Sequence, residues 1–559
     1  MAIVKDIDIT PEQRQLVCSI FATHLPDTEV WAYGSRVHWN ATPSSDLDLV
    51  AFCSDKSGLA NCRDAFAESS LPFRVDLFLW DEIPENFQDR IKQEYAVLIS
   101  KKEVKWNKIT FDDDTIEIID GDRGTNYPRN TDFSSKGYCL FLNTGNVTKN
   151  GFNFSDCMFI SEEKDNALRK GKLQRNDIVL TTRGTVGNVA LYDEKVAYSD
   201  VRINSGMVIF RFNTSKILPQ YAYYYLTSPF FRGAIEKACS GSAQPQLPIR
   251  DIKSLDFLYP SLSEQKRIAG ILSTFDDKIE LNRKMSKTLE AMVEALFKSW
   301  FVDFEPVRAK IAAIGNGKDP ELAAMMSISG KTEVQLAEMK TFYPDAYSEL
   351  AHTASLFPSA MVESEQGKIP EGWQAVQLKD VTTQITARIG ERKCQVLSAV
   401  NSGELVLSVE HFNKQVFSKE TNKYILVKPN TYAYNPSRIN IGSLGRNKFD
   451  FAGCVSPIYV VFSVAEEYIS FFDQFFASQT FKNEVLLRAS GSVRQALNYS
   501  DFGQIALQYP PLPIMQAFNT KIDIISQKLS VLSAEIQTLS NLRDNHLTEF
   551  FSISEENEL

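Results

Sequence analysis

Near the front of the chain, Gly34-Ser35 is followed after ten residues by Asp46-Leu47-Asp48, and Asp76 lies inside a later apolar run, Phe73–Trp80. Alternate residues of a strand share a face, so Asp46 and Asp48 point the same way, and a neighbouring strand brings Asp76 toward them. Charged side chains among apolar strand neighbours are costly unless paired or metal-bound. Oxygen-only ligands suit Mg²⁺ or Mn²⁺, with nucleotide phosphates completing the shell. The Gly-Ser turn offers backbone N–H groups and a hydroxyl to phosphate oxygens. The plainer alternative is a pair of solvated carboxylates at a strand start.

The elements that must position these groups are legible. A helix is expected over Pro11–His24 and strands over Glu29–Tyr33, Leu49–Phe52 and Phe73–Trp80. With the full set of carboxylates present, residues 1–101 resemble the minimal nucleotidyltransferase family of the polymerase-β-like fold. The resemblance implies Mg²⁺-dependent transfer of a nucleotidyl group from an NTP. It casts Asp46, Asp48 and Asp76 as catalytic metal ligands, with Asp76 also orienting or deprotonating the nucleophile. Gly34, Ser35 and Arg36 become the nucleotide-binding residues, Arg36 helping to neutralise the triphosphate. Transfer of AMP onto a protein is the first reaction to test.

The remainder is organised by a long repeat. GSAQPQLPIRDIKSLDFLYPSL, from Gly241, returns as GSVRQALNYSDFGQIALQYPPL, from Gly491, without a gap. Each copy reads as a Gly-Ser turn, a short strand, a Tyr-Pro stop and a long helix, which predicts two globular units, each followed by its own helix. In the second helix Ile522, Ile525, Leu529, Leu532, Ile536 and Leu539 step by three and four, an a/d seam. In the first, Ile268, Leu272, Phe275 and Ile279 give one seam and Met285, Leu289, Met292 and Leu296 a second, with the polar Asn282 on the first. Two such helices are expected to pair antiparallel.

The units themselves, 102–260 and 370–510, are rich in short strands and aromatic residues. Each carries one notable helix signal, Tyr221–Ala238 in the first, and Trp373 is a core anchor of the second. Their loops hold side chains able to read base edges or hold phosphates: Arg123, Arg183, Arg202, Gln244 and Arg250 in the first, and Arg438, Asn440, Arg446, Arg494 and Gln495 in the second. The segments GDRGTNYP, LRKGKLQRNDIVLTTRGTVGNVA, RINSGMV, GSAQPQLP and YPSLSEQKRIAGIL resemble the specificity subunit of type I restriction–modification systems. That likeness runs from about Trp106 to Ser552. It implies two target-recognition domains reading halves of a split duplex site. It also implies an antiparallel coiled coil that sets the gap and docks two methylation subunits, and through them the restriction subunits.

Composition constrains the rest. With 559 residues and 43% apolar content the chain can bury several cores. Net charge is −10, but residues 1–101 carry 16 acidic against 9 basic groups, whereas 102–258 carry 19 against 21 and 370–509 carry 12 against 14. The repeated units are the least acidic parts, and local patches matter more than the total. No apolar run is long enough to span a membrane and MAIVKDIDIT lacks a leader pattern, so a cytoplasmic protein is expected. The eight cysteines lack zinc-site spacing and read as reduced, mostly buried thiols.

The expected architecture is α+β and multidomain. It comprises a nucleotidyltransferase-like domain (1–101), a first recognition domain (102–260), a spacer helix (261–305), a connector (306–369), a second recognition domain (370–510) and a second spacer helix (511–552). The specificity part is expected to bind no cofactor. The alternative function is a nucleotidyl-transferring enzyme delivered to its targets by the DNA-binding part.

Overall fold

Apolar runs separated by turn formers build the first domain. In the computed structural model it has α1 (Pro11–His24), β1 (Glu29–Tyr33), β2 (Leu47–Phe52), α2 (Lys56–Ala67), β3 (Val75–Leu79), α3 (Glu85–Gln93) and β4 (Ala96–Ile99). The residues described are 6–26, 28–53, 55–100, 105–239, 245–412, 417–418, 420–488 and 496–556. Thr10 caps α1 through a reciprocal bond with Gln13, and Pro11 takes the first helical turn, where its missing N–H costs nothing. The sheet order is β3-β2-β1-β4, with β2 and β3 parallel and the other pairs antiparallel. One sheet face packs on Phe21, Leu59 and Phe66 from α1 and α2. The other carries a smaller aromatic core of Tyr33, Val50, Trp31, Phe52, Trp80 and Ile91 beneath α3.

The chain divides into two compact units: Met1–Leu272 with His546–Leu559, and Ser273–Asn545. Within the first, strands Ile116–Asp120, Asp177–Thr181, Val189–Tyr192 and Met207–Phe212 form an antiparallel sheet around Phe111, Phe210, Tyr225 and Phe257. Within the second, Thr382–Ile385, Tyr432–Tyr434, Leu444–Arg446 and Val460–Val464 form its counterpart. In both, the strand ending in the Tyr-Pro stop pairs with the strand that opens the unit: Asp256–Tyr259 with Asn107–Thr110, and Ala506–Tyr509 with Gln374–Gln377.

The repeat reaches further back than the sequence pattern indicated. Where single helices were expected there are two pairs, Pro219–Thr227 with Pro229–Ala238 and Ile469–Ala477 with Gln479–Arg488. The breaks fall at Ser228 and Ser478. Each hydroxyl accepts from the N–H three residues on, Phe231 and Phe481, and donates to the carbonyl three residues back, Tyr225 and Phe475. An N-cap in mid-run ends one helix and starts the next. Within the second unit the connector folds as four short helices, Glu305–Gly315, Pro320–Ser329, Glu333–Phe342 and Pro344–Ser355.

The long helices are Leu262–Phe297 and Leu512–Glu556. Within the second unit they lie antiparallel: Asp276 pairs with Arg543 at 2.9 Å and Lys278 with Glu535 at 3.2 Å. Within the first, Ile268 and Leu272 pack with Leu547 and Phe551. The first helix keeps one seam, not two. Leu272, Phe275, Ile279, Asn282, Ser286, Leu289, Val293 and Leu296 are its inward positions, while Met285 and Met292 stand exposed. The seam does not change register to favour methionine; it carries two polar residues instead. Asn282 is buried with neither amide atom hydrogen-bonded. Across the seam, the hydrogen bond from Lys278 holds the Glu535 carboxyl below its usual range.

The thiol expectation is corrected at one place: Cys394 and Cys454 form a disulfide. The other six cysteines are free. No helix among the described residues is long and apolar enough to cross a membrane.

An unsatisfied amide in a helical seam costs more than an apolar group of similar size. Asn282→Leu is therefore expected to raise unfolding free energy by about 1 kcal/mol, read by thermal denaturation of the full chain. A fall in melting temperature would contradict this account of the seam.

Candidate functional site

Strand register assembles the acidic site. Tyr33 of β1 lies opposite Asp48 of β2, which lies opposite Asp76 of β3. Paired positions on neighbouring strands share a face, so two carboxylates and a phenol stand in a row at one end of the aromatic core. Asp46 is exposed just before β2. Burial raises the Asp48 carboxyl above its ordinary range, and the Asp76 and Asp46 carboxylates raise it further. The Tyr33 hydroxyl is pushed up to about 12 by burial and then by Asp48 and Asp76. These groups line a cleft of about 550 Å³, with Gly34 and His38 at one side and Phe87, Arg90 and Ile91 of α3 at the other. His38 is held by Glu94 at 2.9 Å.

Gly34 has no substitute here. Its φ is +79°, and a Cβ would collide with Oδ2 of Asp48. Glycine thus keeps the space before Asp48 open. The donor set is oxygen only, as a hard divalent cation requires. Among the described residues no group of three acidic, His or Cys side chains stands ready as a metal cage, and Arg74 holds Asp76 at 2.8 Å. The residues fit a cation held by one or two carboxylates and completed by substrate oxygens, the way Mg²⁺ is usually bound.

Arg36 is placed otherwise than the resemblance implied. It is buried and donates to the carbonyls of Ser45, Asp8 and Pro43, with its guanidinium 3.9 Å from the Phe73 ring centroid. An arginine spent on backbone oxygens holds the turn together and does not reach a triphosphate. Ser35 lies half-buried in the turn beside Gly34.

The proposed base readers divide into two groups. Arg202 is buried, bonding Asp165 through Nε and the carbonyls of Lys170, Asp165 and Leu168. Arg446 grips Asp473 through Nε and Nη2 and Asn430 through Nη1. Both are framework ion pairs, a correction to their reading as base contacts, because their donors are already engaged. Arg123 pairs with Asp120 at 3.2 Å, and Arg250 is 89% exposed beside Asp251.

Arg183 and Arg438 are exposed, and their settings match. After each Gly-Ser segment, the Leu247 and Leu497 N–H groups bond the carbonyls of Thr182 and Pro436. The arginines follow at one and two residues from those anchor points. Arg183 also bridges to Gln246. Asn440 is half-buried in the same loop as Arg438. Gln244, Arg494 and Gln495 lie outside the described residues. The sequence reading passed over Tyr33, Phe78, Phe87 and Arg90, although Phe78 is two residues from Asp76 and so on its face.

Two domain classes meet in one chain. Residues 19–104 match the family model of polymerase beta nucleotidyltransferases, and residues 103–291 match that of the type I restriction modification DNA specificity domain. The chain is 28% identical over 465 residues to the type I restriction enzyme HindI specificity subunit of Haemophilus influenzae, covering 76% of this chain and 96% of that one. It is 37% identical over 99 residues to a probable protein adenylyltransferase, MntA, of the same organism, covering 17% of this chain and 87% of that one. A crystal structure of a type I restriction–modification S subunit from M. genitalium aligns over 80% of this chain and 97% of its own, at 16% identity and TM-score 0.40. Residues 103–291 form a type I restriction modification DNA specificity domain, residues 19–104 form a nucleotidyltransferase domain of the polymerase-β type, and type I specificity subunits are among the chain's homologues.

Because burial, and after it the neighbouring carboxylates, raise Asp48, its ionised form destabilises the folded domain. A raised folded-state pKa means stability present at low pH and lost as pH rises through that value. Asp48→Asn is expected to stabilise the chain by about 1 kcal/mol at pH 7 without divalent metal. The gain should fade below about pH 4, where carboxyls are protonated in both states. Denaturation midpoints across this pH range check it; a gain independent of pH would contradict it.

Proposed function

We propose that the chain is the DNA-reading subunit of a type I restriction–modification complex, and that each repeated unit reads one half of a split duplex site. The observation that carries the reading is the repeated anchor. In both units the segment that follows Gly-Ser in the sequence bonds a loop through a leucine N–H, with an exposed arginine beside the junction. Two copies of one scaffold with different loop residues suit two different half-sites. Arg183 and Arg438 are the foremost base or phosphate contacts, with Arg123, Arg250 and Asn440 beside them. Gln244, Arg494 and Gln495 stay in the set on sequence grounds. Phosphate contacts set position and base contacts set sequence. The paired helices fix the gap and receive two methylation subunits, through which the restriction subunits join.

The front domain is an Mg²⁺-dependent nucleotidyltransferase using an NTP. When bound, the cation would polarise the reacting phosphate and screen its charge. Asp46, Asp48 and Asp76 would hold it, the cation replacing Arg74 as the partner of Asp76. Asp76 orients the attacking hydroxyl and accepts its proton. The Gly34-Ser35 turn takes phosphate oxygens. Transfer of AMP from ATP onto a protein hydroxyl, with pyrophosphate leaving, is the reaction favoured by the likeness to the adenylyltransferase.

Arg183→Ala is expected to weaken specific duplex binding by about 1–3 kcal/mol with an unchanged melting temperature. Arg202→Ala should cost about 3 kcal/mol of folding stability instead. Fluorescence anisotropy at fixed salt and thermal denaturation separate the two; equal effects on binding would remove Arg183 from the interface. Labelled ATP with Mg²⁺ should label a protein target in the presence of the wild-type chain and not of Asp48→Asn. Equal labelling by both would remove the transferase reading.

A further inference from the structure

The cleft over the acidic row has an aromatic wall that metal and phosphate chemistry does not use. Phe78 follows Asp76 by two residues on β3 and is 44% exposed; Phe87 on α3 is 40% exposed. Both line the cleft that holds Asp48 and Asp76. Neither is there for want of a core. The aromatic cluster beneath α3 is filled by Trp31, Phe52, Trp80 and Tyr95, with Trp31 stacked on Tyr95 at 3.8 Å and Phe52 on Trp80 at 4.8 Å. Phe87 reaches that cluster only at its edge, meeting Tyr33 edge-on at 5.8 Å.

Exposed rings beside a polar floor are a costly arrangement unless a planar group covers them. The same wall carries Arg90, about one turn after Phe87 on α3, and Gln93, nearly two turns after it. Arginine offers donors only, and glutamine a donor and an acceptor side by side, the pattern that reads the edge of a heterocyclic base. A cleft of about 550 Å³ lies within the usual range for small-ligand sites.

Resting on the nucleotidyltransferase reading, we infer that Phe78 and Phe87 seat the nucleobase of the incoming nucleotide, and that Arg90 and Gln93 read its edge. The phosphates then lie toward Gly34 and the carboxylates, and the base toward α3. The rings give affinity for any base; the polar pair sets which base is preferred. These are specificity-determining residues, and they leave the transfer chemistry to the acidic row.

The test is equilibrium binding to the full chain in Mg²⁺, comparing ATP with inorganic tripolyphosphate, which has the charge but no base. The wild type is expected to prefer ATP by about tenfold or more, as base–aromatic stacking predicts. Phe78→Ala/Phe87→Ala should bind ATP as weakly as tripolyphosphate while tripolyphosphate binding is unchanged. Both rings are exposed, so an unaltered melting temperature is expected and confirms folding. Arg90→Ala should narrow the differences among ATP, GTP, CTP and UTP. A double variant that keeps the wild-type preference for ATP overturns the inference alone. A wild type that binds ATP and tripolyphosphate equally assigns the rings to an acceptor and also overturns it. A wild type that binds neither overturns the nucleotide reading, and the inference with it.

Discussion

One helical seam governs the architecture of the specificity part. From Leu272 to Leu296 the first long helix turns one face inward at steps of three and four. Such a repeat leaves little freedom of rotation, because a shift would bury Lys278 or Lys284 and expose Ile279 and Leu289. Ion pairs on its flanks, Asp276 with Arg543 and Lys278 with Glu535, fix direction as well as pairing. The buried Asn282 penalises every register that places it against a tighter apolar neighbour. Polar seam residues trade stability for a single alignment in this way. On the proposed function, a spacer between two half-site readers needs a fixed length more than it needs maximal stability.

The front domain shows the opposite economy. Its sheet forces Tyr33, Asp48 and Asp76 into a row, and burial, then the neighbouring carboxylates, raise both the Asp48 carboxyl and the Tyr33 phenol. Arg74 relieves Asp76, and among the described residues no basic side chain pairs with Asp48. That imbalance is what a cation and a nucleotide would correct. Sites arranged to bind charge are commonly strained before the ligand arrives.

Much of this was legible in the chain itself. The motif spacing placed Asp48 and Asp76 on adjoining strands, and the gapless repeat marked the two units and their helices. The errors have physical causes. Met285 and Met292 are apolar, so they drew the seam toward themselves; Asn282 and Ser286 hold the true register because helical geometry is continuous. Ser228 and Ser478 look like ordinary helix residues until their hydroxyls are seen capping the next segment. Arg202 and Arg446 have the chemistry of base readers, but only tertiary structure reveals Asp165 and Asp473 already in their grip. Spacing along a chain does not disclose which arginine has a buried partner.

The central claim is that the two repeated units read separate halves of one site. Selection from randomised duplexes by the full chain with its methylation subunits addresses it most directly. The account predicts an enriched motif in two defined parts separated by a constant number of unspecified base pairs. A single uninterrupted motif, or two parts at variable separation, would contradict it.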